Sequence, residues 1–78
     1  MTFEEDQEVL VGYPLTREAE RGDRSEWPWL PGVIVSLCGD DEYQIVVVDE
    51  RLAFPFQGST AYPCCFRDSS ELMPRDEP

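Results

Sequence analysis

Neither histidine nor lysine occurs in this chain, and each absence removes a class of chemistry. Without histidine there is no side chain whose ordinary pKa suits a general base near neutrality, and the commonest nitrogen ligand for a metal is missing. Without lysine, all six basic residues are arginines, set against seventeen carboxylates for a net charge of −11. Such a chain has little with which to neutralise phosphates or an anionic membrane surface. Direct binding to nucleic acid or lipid headgroups is therefore not expected. A basic protein surface is the partner this charge favours, because opposite charge speeds encounter at low salt.

Long hydrophobic runs are also lacking. Stretches such as Val33–Val35 and Ile45–Val48 are far too short to span a bilayer. Glu4, Glu5 and Asp6 stand where a secretory signal would need positive charge, which points to the cytoplasm. Cysteine is scarce and odd in number: Cys38, Cys64 and Cys65 do not make a disulfide framework, and at least two are expected to be small buried apolar residues. Adjacent Cys64 and Cys65 face opposite ways on a strand and cannot both serve one tetrahedral zinc ion. Asp40, Asp41 and Glu42 lack the ligand spacing of a calcium loop. A cysteine nucleophile would need a base that nothing supplies, even with Arg67 nearby. No metal, cofactor or catalytic residue is assigned, and the chain reads as a binding protein and not an enzyme.

What remains is one small domain of 78 residues. At this size roughly 60% of the unfolded surface is hidden, so the core is thin. The apolar pattern is that of strands, with no ten-residue stretch of helical period. Residues 1–7 read as a flexible acidic N-terminus, residues 8–74 as the domain, and residues 75–78 as a tail. Glu8–Tyr13 is β-rich and stopped by Pro14. Residues 15–26 read as a long exposed loop with at most one helical turn near Thr16. Pro28 and Pro31 suit an edge or lead-in segment before Val33–Cys38. Gly39-Asp-Asp then turns into Tyr43–Asp49, the clearest hairpin in the chain. Period-two alternation puts Val33, Val35 and Leu37 with Ile45, Val47 and Leu72 in the core; a one-residue shift would substitute Ile34, Val46 and Val48. Residues 50–60 read as a second loop, and Ala61–Phe66 and Glu71–Met73 as the last extended segments. The fold expected is all-β: a closed or nearly closed five-stranded antiparallel barrel with long loops, which limits exposed edges.

The carriers of a resemblance are Trp29-Leu-Pro-Gly-Val-Ile-Val, the hairpin to Tyr43-Gln-Ile-Val-Val-Val-Asp, and Phe66-Arg-Asp-Ser-Ser-Glu-Leu-Met-Pro. In this order they resemble the SH3-like barrels, nearest to the Tudor and Agenet type. The resemblance covers residues 8–74 and implies a binding role, two orthogonal sheets joined by a bent hairpin, and a single helical turn before the final strand. Its proline-broken 54–56 segment and long arginine-containing first loop depart from Tudor readers.

Six aromatics bear on the ligand. Trp27, Trp29, Tyr43, Phe54, Phe56 and Tyr62 either line one end of a barrel as a cage for a methylated lysine or arginine, or divide between core and loops. The site expected combines Trp27, Trp29 and Tyr43 with Asp23, Glu26, Asp40, Asp41 and Glu42, on the premise that the first loop and the hairpin turn share one end. Trp27 is the anchor expected on the surface, and Trp29 is the one more able to turn inward. Two functions follow. One is a module that docks a basic partner through aromatics ringed by carboxylates. The other is an inhibitor that imitates nucleic acid, presenting carboxylates in place of phosphates, a profile that small phage anti-defence proteins resemble in size and charge. The chain reads as a monomer or a small homo-oligomer.

Overall fold

A computed structural model describes residues 3–75. Strands β1 (Glu8–Gly12), β2 (Trp29–Gly39), β3 (Glu42–Val47), β4 (Phe54–Phe56), β5 (Ser59–Ala61), β6 (Cys64–Arg67) and β7 (Leu72–Pro74) follow one another along the chain. A five-residue helix, α1, occupies Arg17–Arg21, and single 3-10 turns occupy Arg24–Glu26, Glu50–Leu52 and Ser69–Glu71. The described residues are thus all-β apart from one short helix. Five strands form an antiparallel sheet in the order β6-β3-β2-β1-β7, and β4 and β5 form a separate hairpin. No ladder joins the edges β6 and β7, so hydrogen bonds do not close the sheet into a barrel. No helix among the described residues is long and apolar enough to cross a membrane.

The β2–β3 hairpin turns at Asp40 and Asp41, between paired Gly39 and Glu42. It is longer than the sequence pattern suggests, because β2 begins at Trp29 and carries Pro31 into a central strand. That corrects the expectation that the prolines hold this segment at an edge. The hydrogen-bond alternation explains why Pro31 is tolerated. The Ile34 N–H donates to Gln7 and the Tyr13 N–H to Pro28, so Pro31 presents its nitrogen away from β1, toward β3. There the ladder has already ended at Gly32 and Val47, and only the Pro31 carbonyl is used, by the Val48 N–H at 2.9 Å.

Nine buried residues form one core: Phe3, Val9, Val11, Leu30, Ile34, Tyr43, Ile45, Val47 and Leu72. Ile45, Val47 and Leu72 are among those expected. Val33, Val35 and Leu37 are not, and Ile34 replaces them. Ile34 pairs with Ile45, whereas Val33 pairs with Val46 on the outer face. Val35 stands at a bulge, since the next pair is Ser36 with Gln44, and it is 47% exposed. The bulge restores Leu37 to the inner side opposite Tyr43, but so near the turn that nothing covers it, and it is 50% exposed. No helical layer lies over the sheet, because α1 buries no residue. The inner faces of β1 and β3 can enter one core only if the sheet curls on itself, and bulges favour that curl.

The N-terminal segment expected to be flexible supplies Phe3, whose ring meets Tyr43 edge-on at 5.6 Å. The Asp6 N–H to the Ile34 carbonyl holds the segment in place. Residues 1 and 2 of that segment, and residues 76–78 of the expected tail, lie outside the described residues. The cysteines also differ from expectation: Cys38 and Cys64 are exposed and only Cys65 is half-buried. Cys64 pairs with Val46 on the outer face, Cys65 with Ile45 on the inner.

Three aspartates make the loops. Asp23, Asp49 and Asp68 each accept the backbone N–H two residues on, and each caps one 3-10 turn. Asp49 also takes two bonds from the Arg51 guanidinium, at 2.9 and 2.7 Å, while only 8% exposed. The Arg51 side-chain bonds, then its backbone N–H, lower the Asp49 pKa from 3.8 to about 2. A carboxyl whose folded pKa lies below its unfolded value adds stability that is complete above the unfolded value and lost as pH falls toward the folded one. Asp49→Asn should therefore lower the melting temperature at pH 6, with the gap from wild type closing between about pH 4 and pH 2. Thermal melts of both proteins across that range measure the gap; a constant gap would show that the ion pair contributes nothing.

Candidate functional site

Arg24, in the first loop, borders three adjoining depressions. The largest, about 460 Å³, lies between Tyr13, Arg17, Trp27, Leu52 and Arg67. A second, about 340 Å³, is flanked by Trp27, Trp29, Gly12 and Glu71. The third, about 230 Å³, gathers Asp41, Glu42, Asp68 and Glu71 around Arg24 and Arg67. The first loop and the hairpin turn thus meet at one end of the sheet. Local chemistry places them there. Thr16 caps α1, Asp23 caps the following 3-10 turn, and the Arg24 guanidinium reaches Glu71 at 2.5 Å.

Trp27 is held from three sides. Its indole N–H donates to the Ala19 carbonyl at 2.6 Å, with the Arg24 guanidinium 5.0 Å and that of Arg67 5.3 Å from its ring. The ring is half-buried and pins α1 to the sheet. Trp29 takes the opposite part. It lies at the start of β2, on the outer face opposite Gly12, and is 44% exposed. Tyr43 is core, 7% exposed behind Phe3, and its ring is not available to a ligand; this corrects its assignment to the site. No depression among the described residues collects all six candidate aromatics. Phe54 and Phe56 project on the β4–β5 hairpin, and the Tyr62 hydroxyl donates to Glu50 at 2.9 Å.

The acids divide in the same way. Asp23 is committed to its cap, and Asp41 accepts the Ser69 N–H at 3.2 Å. Backbone and side-chain hydrogen bonds from Ser25 lower the pKa of Asp23. Glu26, Asp40 and Glu42 are exposed, and their side-chain carboxylates make neither a hydrogen bond nor an ion pair among the described residues.

Arg67 is the residue that sequence reasoning missed. It stands on the inner side of β6 opposite Tyr43, yet carries a charge. Its Nε donates to the Gly12 carbonyl at 3.0 Å and its Nη1 to the Phe66 carbonyl at 2.7 Å, with the Tyr13 ring 5.7 Å away. The side chain thereby ties edge strand β6 to the end of β1, across the side where the sheet stays open. The sequence does carry a signal: period two from Cys65 puts an arginine inward, and an inward cation needs carbonyls and ring faces. Burial raises the pKa of the neighbouring Tyr13 hydroxyl and of the Cys65 thiol, which keeps that thiol protonated. Among the described residues, no cluster of three or more potential ligands is positioned to hold a metal.

No family model, no curated protein and no solved structure matches this chain.

Proposed function

We propose that the chain is a protein-binding module that docks a basic partner at the end of the sheet bearing Trp29, Glu26 and the β2–β3 turn, without catalysing a reaction. One observation carries this reading: the depression beside exposed Trp29 adjoins, through Arg24 and Glu71, the depression at the β2–β3 turn that Asp41 and Glu42 line. A basic side chain arriving there gains Coulomb attraction from Glu26, Asp40 and Glu42, and Trp29 supplies apolar area that binding would desolvate. Trp29 is the better anchor of the two tryptophans, because Trp27 is already bonded to Ala19 and flanked by arginines. The sheet order β6-β3-β2-β1-β7 and the 3-10 turn immediately before β7 support the SH3-like, Tudor-type resemblance and hence a binding role. A cytoplasmic setting is part of the same proposal.

The test is a pull-down from lysate at low and high salt, followed by affinity measurements on the protein captured. Trp29→Ala should weaken binding by a factor of about 30, close to 2 kcal/mol, mostly through faster dissociation. Changing Asp40 and Asp41 together to Asn should slow association and flatten its salt dependence. If Trp29→Ala binds normally while the double acid change abolishes binding, the aromatic anchor is wrong and imitation of nucleic acid becomes the better account.

A further inference from the structure

We infer that the depression between Tyr13, Arg17, Arg24, Trp27 and Arg67 binds a small phosphate monoester. Trp29, Glu26 and the β2–β3 turn form no part of its walls, so this site is additional to the docking end proposed above and does not depend on it. Three of the six arginines in the chain line this one depression. Carboxylates outnumber arginines seventeen to six, and still Arg17 and Arg67 have no ion pair among the described residues. Glu20 lies on the same wall and bridges to none of the three. The depression thus carries an excess of positive charge within a chain of net charge −11. That balance repels a long polyanion but leaves a local site for one compact anion.

The ring faces decide the sign of the ligand. The Arg67 guanidinium stands 5.7 Å from the Tyr13 ring and 5.3 Å from that of Trp27, and the Arg24 guanidinium 5.0 Å from Trp27. These rings already hold cations, so a further cation arriving there meets two like charges. An anion meets donors instead. Arg67 is fixed by the Gly12 and Phe66 carbonyls through Nε and Nη1, which leaves Nη2 without a hydrogen bond among the described residues. Arg24 is fixed through Nη2 by Glu71, which leaves its Nε and Nη1. Tyr13, whose hydroxyl makes no hydrogen bond among the described residues, adds an O–H that burial keeps protonated. Guanidiniums held in place before the ligand arrives lose little freedom on binding. Their planar forks suit phosphate oxygens, and a dianion engages more of them than a singly charged carboxylate. Leu15 and Leu52 complete the wall, and a volume of about 460 Å³ exceeds a bare phosphate, so the phosphate carries a small organic group.

Nuclear magnetic resonance titration of the isotope-labelled full chain with phenyl phosphate tests this, at about pH 7.5 and about 150 mM salt, where the phosphate is a dianion. The backbone signals of Tyr13, Arg24, Trp27 and Arg67 should shift together and saturate, with a dissociation constant on the order of 1 mM. Benzoate, the same ring with a single charge, should bind about fivefold more weakly. Arg17→Gln should weaken phenyl phosphate binding about tenfold, and Glu20→Gln should strengthen it about threefold. Neither side chain makes a hydrogen bond or ion pair among the described residues, so both variants should keep the wild-type spectrum. Arg21→Gln changes the net charge as Arg17→Gln does but lies outside the depression, and should alter binding less than about twofold. Signals that fail to saturate by about 20 mM phenyl phosphate overturn the inference. So does benzoate binding equally well, or an Arg17→Gln effect no larger than that of Arg21→Gln. None of these outcomes bears on the Trp29 measurement.

Discussion

Ile34→Asp is expected to unfold this domain, whereas Val35→Asp, one residue further on, should move the melting temperature by no more than a degree or two. Ile34 has no exposed surface and pairs with Ile45 at the centre of the core. The inner-face cation, Arg67, is already committed to the Gly12 and Phe66 carbonyls, so a carboxylate placed there enters the core without a partner of its own. Burying an uncompensated charge, added to the lost apolar contacts, costs upwards of 4 kcal/mol. A domain of this length holds only about 5 kcal/mol in total, so the folded population should collapse. Val35 stands at the bulge, half in solvent, where a polar side chain meets water. Urea titration of both variants beside wild type, followed by far-ultraviolet dichroism, measures the difference. A reversed order, with Val35→Asp the more damaging, would mean that β2 is shifted by one residue from the register in which Ile34 faces Ile45, and equal midpoints would overturn the assignment of Ile34 to the core.

Gly32→Val should cost on the order of 3 kcal/mol, for a reason opposite to loss of packing. Gly32 lies on the inner face of β2 between Leu30 and Ile34, both buried. A Cβ at this position would lie 2.9 Å from the Ile45 Cγ2, 3.1 Å from the Val46 carbonyl oxygen and 3.2 Å from a Val11 methyl. Ile45 is itself fully buried and cannot withdraw, and the Val46 oxygen belongs to the paired backbone. The curl that brings β1 and β3 into one core leaves room here for hydrogen alone. Gly39→Ala makes the control, since nothing lies within 4 Å of its Cβ position, and should be near neutral. Chemical denaturation of the pair measures the contrast; a Gly32→Val protein as stable as wild type would require the strands to stand further apart than they do.

Gly32 also shows how far the register can be read in advance. In the run Leu30-Pro-Gly-Val-Ile-Val, both faces of β2 carry apolar side chains, so alternation by itself cannot choose between Val33 and Ile34. A glycine inside a strand marks close approach of another chain segment, and that signal favours the face bearing Ile34. In β3 the same alternation leads to Ile45 and Val47 correctly, because that strand has no bulge and pairs continuously with β6. Residues 50–60 read as a loop because Pro55 interrupts the aromatic run. An outer-edge position accommodates proline without loss, and two residues of positive φ fold the segment into a hairpin.

The candidate site is legible in kind more than in arrangement. The surplus of carboxylates and the two tryptophans are matters of composition, and they follow from the sequence whatever the fold. All-β class, the β2–β3 hairpin and most strand positions are likewise determined locally, since period two and turn residues act over a few neighbours. Tertiary structure alone decides which tryptophan stays exposed, because the fate of Trp27 depends on a carbonyl at Ala19 and on Arg67, forty residues further along the chain. It alone decides that Tyr43 is core, through Phe3 from a segment with no strand pattern of its own. It alone leaves β6 and β7 without a ladder between them and puts the Arg67 side chain across the gap between β6 and β1. Contacts between residues distant along the chain are fixed by how the sheet curls, and that curl minimises exposed apolar area over the whole chain at once, a sum that no single segment encodes.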